Sequence, residues 1–237
     1  LYSYLNFNQD YNESDFSEYL ELHTQMNLSE WLKQGEFDFL NHFDAENYLD
    51  TTPSKYFLYQ DLLMPLFMNQ ITQLSIDYGQ VMEELAEHFA SLTKGCKLTN
   101  QFYHALANVL SIKWSLPLKI WEAYHNHDEE ALKRIISETL SELKQRLILL
   151  MNSRRALWLH ESHAMGFEIL EQRFGGMIVR CDSVSERLQA YLDGEIDSIP
   201  ELTEERLDPL PLENHNHLEA VHYNRALRIM SRSRPTW

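Results

Sequence analysis

Apolar residues recur every three or four positions along most of the chain, the spacing that places them on one face of an α-helix. The longest of these apolar stripes starts at Leu132 and continues towards His160. Because several such stripes follow one another, the pattern predicts an all-α fold, a bundle of about six to eight helices. The stripes are Ile71, Leu74, Tyr78, Val81, Leu85, Phe89 and Leu92; Phe102, Leu106, Val109, Leu110, Ile112 and Trp114; and Leu132, Ile136, Leu140, Leu143, Leu147 and Leu150.

Proline and glycine indicate where the predicted helices begin and end. Pro53 is expected to open a helix that ends at Pro65, because proline suits a first helical turn and cannot continue one. Gly95 is expected to cap the helix that follows. A final helix is expected over about residues 218–230, where another apolar stripe occurs.

A helix–loop–helix corner is predicted after the longest stripe. The run from Gly166 to Ile169 interrupts the helical pattern, and the pair Gly175-Gly176 is expected to open the next helix. Glycine in a helix costs stability, so it is usually kept where φ is positive or where another backbone comes close. The pair therefore indicates either a tight corner or a docking surface for something outside this segment.

The first fifty residues differ in composition from the rest of the chain. They are rich in Asp, Glu, Asn, Tyr and Phe, and their helical patterns are short. We expect residues 1–50 to be a lightly structured segment of short helices lying on a larger body. Residues 51–237 are expected to form the α-helical domain proper.

The charge balance restricts the kinds of partner. The chain carries 36 acidic and 20 basic side chains, a formal net charge of −16, which argues against nucleic acid or an anionic membrane as the main partner. No run of apolar residues is long enough to predict a membrane span. The two cysteines make no disulfide framework, which favours a reduced, cytoplasmic setting. The first residue is Leu rather than Met, which suggests a fragment of a longer protein.

Patterns that could carry chemistry were tested against their required spacing. His160-Glu161-Ser162-His163 separates its histidines by three positions, whereas a metalloprotease helix needs four. The adjacent acids Asp128-Glu129 precede a helical stripe, so we interpret them as a helix cap. The sequence shows no phosphate-binding loop and no nucleophile elbow. We therefore predict no catalytic, cofactor-binding or metal-binding residues in this chain.

Three stretches resemble the C-terminal helical region of family 20 glycoside hydrolases. Residues 161–176 are similar to that family's run Glu-Asn-Lys-Pro-x-Gly-Phe-Asp-Val-x-Asp-x-Arg-x-Gly-Gly, although Ser162-His163-Ala164 departs from its Asn-Lys-Pro. Residues 52–61 resemble Asn-Pro-Ser-Lys-Tyr-x-Leu-Tyr-x-Asp, and residues 187–202 resemble Arg-Leu-x-x-Tyr followed by Ile-x-Glu-Leu. The branch that looks closest contains the streptococcal exo-β-N-acetylglucosaminidases and hexosaminidase D. Matching positions in the first stretch are Glu161, Gly166, Phe167, Arg173, Gly175 and Gly176.

This resemblance implies a parent enzyme that removes terminal β-linked N-acetylglucosamine or N-acetylgalactosamine with retention and without a cofactor. Its Asp-Glu pair would belong to a catalytic barrel that this chain lacks, so the chain alone is predicted to be inactive. The implied partners are the barrel of the same polypeptide, which residues 1–50 would adjoin, and a second copy of the parent in a homodimer. The candidate docking or interface residues are Ser54, Lys55, Tyr56, Tyr59, Trp158, Arg173, Gly175 and Gly176.

A free-standing acidic module that binds a partner protein is the alternative interpretation. The two hypotheses differ in the surface that they require. A domain built to cover a barrel should expose apolar surface when it is isolated, whereas a free module should be monomeric and should not bind a hydrophobic dye.

Overall fold

The computed structural model describes residues 4–5, 10–37, 53–65 and 77–204 of the chain. Helices are the regular structure of these residues, and no strand occurs among them, which confirms the all-α prediction. None of the described helices is long and apolar enough to cross a membrane. The helix expected over residues 218–230 and the stripe positions Ile71 and Leu74 lie outside the described residues.

The helices follow the chain in one continuous series. We number them α1 (Glu13–Thr24), α2 (Leu28–Leu32), α3 (Pro53–Tyr59), α4 (Tyr78–Ser91), α5 (Lys97–Lys113), α6 (Leu116–His125), α7 (Glu129–Arg134), α8 (Ser141–Glu161), α9 (Phe167–Leu192) and α10 (Pro200–Thr203). A 3₁₀ turn, Lys33–Phe37, follows α2, and a π-helical segment, Ile135–Leu140, joins α7 to α8.

The core lies where α5 meets its neighbours. Helix α4 packs along α5, α8 packs against both α5 and α9, and α3 lies on α5. Each fully buried leucine in such a core stabilises the fold by about 2 kcal/mol relative to an exposed one. The side chains with no exposed surface include Phe57, Leu63, Met82, Leu110, Leu116, Ile120, Leu143, Leu147, Leu150, Val184 and Leu188.

The acidic pair before α7 is a helix cap, as the sequence indicated. The Asp128 carboxylate accepts a hydrogen bond from the Ala131 backbone N–H at 2.9 Å. Glu129 is exposed in the first turn, 3.5 Å from the Lys133 ammonium. Both carboxylates therefore stabilise the positive end of α7, and neither lies in an enclosed site.

Two helix boundaries differ from the sequence prediction. Helix α3 ends at Tyr59 rather than at Pro65, because the Asp61 carboxylate accepts hydrogen bonds from the Leu63 and Met64 backbone N–H groups and forms a turn. Helix α4 likewise ends at Ser91, before Gly95.

The prediction that Gly175-Gly176 opens a helix is wrong. Helix α9 begins at Phe167, directly after Gly166, whose φ of 96° is left-handed. The corner therefore uses Gly166, since glycine adopts this backbone without strain. Gly175 and Gly176 lie well inside α9 and are not among the described glycines with positive φ.

The N-terminal segment is attached to the bundle through a close approach at Gly95. Gly95 has a φ of +82°, and a Cβ atom there would lie 2.3 Å from the Met26 Cγ. Met26 itself is only 1% exposed. Farther along, Phe37 stacks on Phe89 and Tyr103, with ring centroids 6.0 and 5.2 Å away. Part of the segment predicted to lie on a larger body thus contributes to its core.

Replacing Gly95 with Ala should lower the free energy of unfolding by about 1.5 kcal/mol from left-handed strain alone, with an additional loss from the Met26 contact. Gly194→Ala is the matched control, because Gly194 has a φ of +71° and a Cβ there would meet no described atom within 4 Å. Denaturant unfolding of both variants measures the difference. Equal losses would contradict the packing of Met26 against Gly95, and adding Met26→Ala should reduce the excess.

Candidate functional site

Helix α3 is held against α9 by one carboxylate–guanidinium pair. The Arg180 Nε donates to one Asp61 oxygen at 2.8 Å, and the Arg180 Nη2 donates to the other at 3.1 Å. Burial alone would raise the pKa of the Asp61 carboxyl, but the Arg180 hydrogen bonds and charge and two backbone N–H groups lower it overall. The pair therefore fixes the C-terminal end of α3 on the middle of α9.

Arg180 belongs to a row of three arginines on one edge of α9. Arg173, Arg180 and Arg187 follow at seven-residue intervals, which returns each to nearly the same side of the helix. The Arg173 guanidinium lies 5.9 Å from the centre of the Tyr59 ring, and the Arg187 Nη2 donates to Glu201 at 3.0 Å. This row connects α9 to α3 and to α10.

Lys55, Tyr59 and Arg173 are brought together at this edge. Burial, and then the positive charge of Arg173, lower the pKa of the Lys55 ammonium. All three side chains are partly exposed. The structure thus gathers three of the predicted docking residues, two of them cationic, on one surface of a strongly acidic protein.

Two other predicted docking residues on α3 stand differently. Ser54 is buried, and its hydroxyl bonds to the Phe37 carbonyl at 2.5 Å and to the Tyr78 hydroxyl at 2.8 Å. It therefore ties α3 to the 3₁₀ turn and to α4 and offers little surface to an outside partner. Tyr56 belongs to α3, but its side chain lies outside the described part.

Beneath α3 lies a buried lysine that the sequence analysis did not single out. The Lys113 ammonium is 2% exposed and donates to the Gln60 carbonyl at 2.6 Å and to the Phe57 carbonyl at 3.1 Å. Burial lowers the pKa of Lys113 to about 8, although the negative charges of Asp61 and of a Cys181 thiolate would oppose that shift. Lys113 thus satisfies the carbonyls at the end of α3, which no helical N–H can reach.

Trp158 stands at the corner between α8 and α9. Its indole N–H donates to the His163 carbonyl at 2.8 Å, and the Arg154 guanidinium lies 5.5 Å from its ring centre. A Cβ atom on Gly166 would be 3.5 Å from the same ring. In the described part of the chain, Trp158 therefore supports the corner that directs α9.

The glycine pair faces open space within the described residues. A Cβ atom built on Gly175 or on Gly176 would meet no described atom within 4 Å. Each glycine costs about 1 kcal/mol of helix stability relative to alanine. Neither left-handed backbone nor a close neighbour in the described chain explains this cost.

Comparison with known protein families matches residues 29–221 to the Glycoside Hydrolase 20C C-terminal domain. The chain belongs to this family. No curated protein matches it. The match spans the described helices from α2 to α10, so the α3–α9 surface is part of a glycoside hydrolase accessory domain.

The arginine row shows what was missing from the sequence analysis of this Glycoside Hydrolase 20C C-terminal domain. Arg173 was chosen because of its place in a motif, whereas Arg180 and its partner Asp61 were not chosen as a pair. The seven-residue spacing was visible in the sequence and could have shown that the arginines share an edge. Their partners could not be found this way, because Asp61 and Arg180 are 119 positions apart.

Proposed function

We propose that this chain is the helical C-terminal part of a β-N-acetylhexosaminidase, an enzyme that removes terminal β-linked N-acetylglucosamine or N-acetylgalactosamine from glycans. The observation that carries the proposal is the family match over residues 29–221. In the parent enzyme, meaning this chain joined to its catalytic barrel, the domain braces the barrel and supports a homodimer. The parent acts in the cytoplasm and needs no cofactor.

The chemistry of the parent is retaining and substrate-assisted. The oxygen of the sugar's own 2-acetamido group attacks the anomeric carbon, an Asp orients that amide, and the adjacent Glu protonates the leaving oxygen. Both acids must come from the barrel. The adjacent acids of this chain, Asp128 and Glu129, are engaged in capping α7 and in contacting Lys133.

A chromogenic β-N-acetylglucosaminide tests the proposal in three samples: the parent, the barrel alone and this chain alone. We expect turnover by the parent, no turnover by this chain, and a lower melting temperature and activity for the barrel alone. Glu129→Gln in the parent should leave turnover unchanged. Turnover by a homogeneous sample of this chain, or a barrel that is equally stable and active without it, would contradict the proposal.

Exposed apolar side chains support bracing over the alternative of a free-standing interaction module. Met165 is 87% exposed, Leu22 79% and Leu32 65%. If these residues cover a barrel, the isolated chain should bind a hydrophobic dye, and the parent should bind less of it. A monomeric chain that binds no dye would favour the free-standing module instead.

A further inference from the structure

The outward side of α9 carries an apolar surface with a shallow centre. Ile169 and Val179 are 52% and 61% exposed, and Met165, just before the helix, is 87% exposed. At 100° per residue, Gly175 and Gly176 fall on the same side of α9 as Val179. We call Met165, Ile169, Gly175, Gly176 and Val179 the glycine face. It lies opposite the buried residues of α9, which include Phe174, Cys181, Val184 and Leu188.

The glycines give this face a property that an ordinary exposed helix lacks. With no Cβ atoms at two adjacent positions, a second backbone can approach α9 more closely than the usual 8–10 Å between helix axes, a value of about that size for larger side chains. The flanking apolar side chains would then border the contact. Exposed apolar area and glycines at the cost of helix stability are separate observations, and a covering helix explains both.

We propose that the glycine face of α9 is the seat of an outer helix of the catalytic barrel, which packs between Ile169 and Val179 over Gly175-Gly176. This inference rests on the proposed function, because it takes the barrel as the neighbour of this domain. A barrel of alternating strands and helices presents helices on its outside, so it offers the kind of surface that this face fits.

Charge disfavours a second copy of this chain as the occupant. Glu168, Asp182 and Glu186 are exposed along the same side of α9. Two copies of a chain with a net charge of −16 that paired through this side would bring their acidic residues close together. A barrel in the same polypeptide is also present at a high effective concentration, so it would cover the glycines at all times.

Thiol labelling of Val179→Cys tests the seat in the protein as it exists, comparing this chain with the parent. We expect alkylation at position 179 to be about tenfold or more slower in the parent, the effect of a covered state favoured by about 1.4 kcal/mol. The native Cys96, which is exposed between α4 and α5, provides an internal reference and should react at similar rates in both samples. Cys181 is buried and should not react in either sample.

Substitution of the glycines separates packing from folding. Gly176→Ala should raise the unfolding midpoint of the isolated chain, because alanine is the better helix former. In the parent, Gly176→Leu should restore most of the alkylation rate at position 179, whereas Gln145→Leu, at an exposed position of α8, should not. An unfolded parent would be recognised by alkylation of Cys181, and Gly176→Ala then replaces Gly176→Leu in the comparison.

The possible results distinguish this inference from the proposed function. Equal alkylation at position 179 in chain and parent, with a barrel that still depends on this domain, would overturn the glycine-face seat alone. A barrel that does not depend on this domain would overturn the proposed function and the seat with it. Protection at position 179 that grows with the concentration of the isolated chain would overturn the barrel helix as the occupant and identify a second copy.

Discussion

Replacing Asp61 with Ala is expected to lower the free energy of unfolding by about 3 kcal/mol, because it leaves a buried guanidinium contact and two backbone N–H groups without their acceptor. Asp61 has a side chain that is 15% exposed, and Arg180 one that is 34% exposed. The Leu63 and Met64 N–H groups lose their acceptor at the same time. Urea unfolding followed by circular dichroism measures the loss.

Asp182→Ala is the matched control for this prediction. Asp182 also pairs across helices, with Lys144 on α8 at 2.7 Å, but the two side chains are 50% and 33% exposed. An exposed pair of this kind contributes only about 0–1 kcal/mol. If Asp182→Ala cost as much as Asp61→Ala, the buried pair would not be what fixes α3.

The pH dependence of the Asp61 effect has a definite sign. Arg180 and the backbone N–H groups outweigh burial and lower the pKa of Asp61 in the folded protein below its ordinary value of 3.8. The stabilisation is therefore complete above that value and is lost as the pH falls through the lowered folded pKa. The difference between wild type and Asp61→Ala should shrink in acid, whereas the difference caused by Gly95→Ala should not.

The helical periodicity of the sequence predicted most of the bundle, because it reflects a local rule. Leu143, Leu147 and Leu150 were assigned to one buried face, and none of them has exposed surface. The same stripe forms one continuous helical stretch from Glu129 to Glu161 that includes the π-helical segment. An apolar stripe needs only the pitch of the helix to be recognised, so the prediction did not depend on the rest of the chain.

Helix boundaries were harder to predict, because side chains compete for the backbone. The end of α3 depends on whether Asp61 accepts hydrogen bonds from the next residues or leaves them to a continuing helix. Arg180 holds the carboxylate in place, and it is distant in the sequence. At the corner, Gly166 and the pair Gly175-Gly176 were equally plausible starts for α9 until the backbone angle of Gly166 was known.

The candidate surface was only partly accessible from the sequence. Family resemblance led to Lys55, Tyr59 and Arg173, which do meet at the α3–α9 edge. Lys113 was missed, because a lysine between Ile112 and Trp114 reads as the polar side of a helix. Its two carbonyl partners belong to α3, and their position depends on how α3 packs on α5. Tertiary pairing of this kind leaves no periodic trace in the sequence.

Replacing Lys113 with Met should lower the free energy of unfolding by about 2 kcal/mol at neutral pH, with a larger loss in alkali. Met fills a similar volume, but it cannot donate to the Phe57 and Gln60 carbonyls, which remain buried without partners. Part of the loss at neutral pH is offset, because the variant no longer buries a charge. Lys119→Met, at an exposed lysine of α6, is the control and should change stability little.

The widening of this difference with pH is the stronger test of the buried lysine. Burial lowers the pKa of Lys113 from 10.5 to about 8, so between these values the unfolded chain binds more protons than the folded one. Stability contributed by Lys113 therefore rises with pH over that window, by at most about 1.4 kcal/mol per pH unit. The neutral amine still has two N–H bonds for its two carbonyls, so deprotonation removes the buried charge and keeps both hydrogen bonds. A difference between wild type and Lys113→Met that stays constant from pH 7 to alkali, about pH 10, would contradict this assignment.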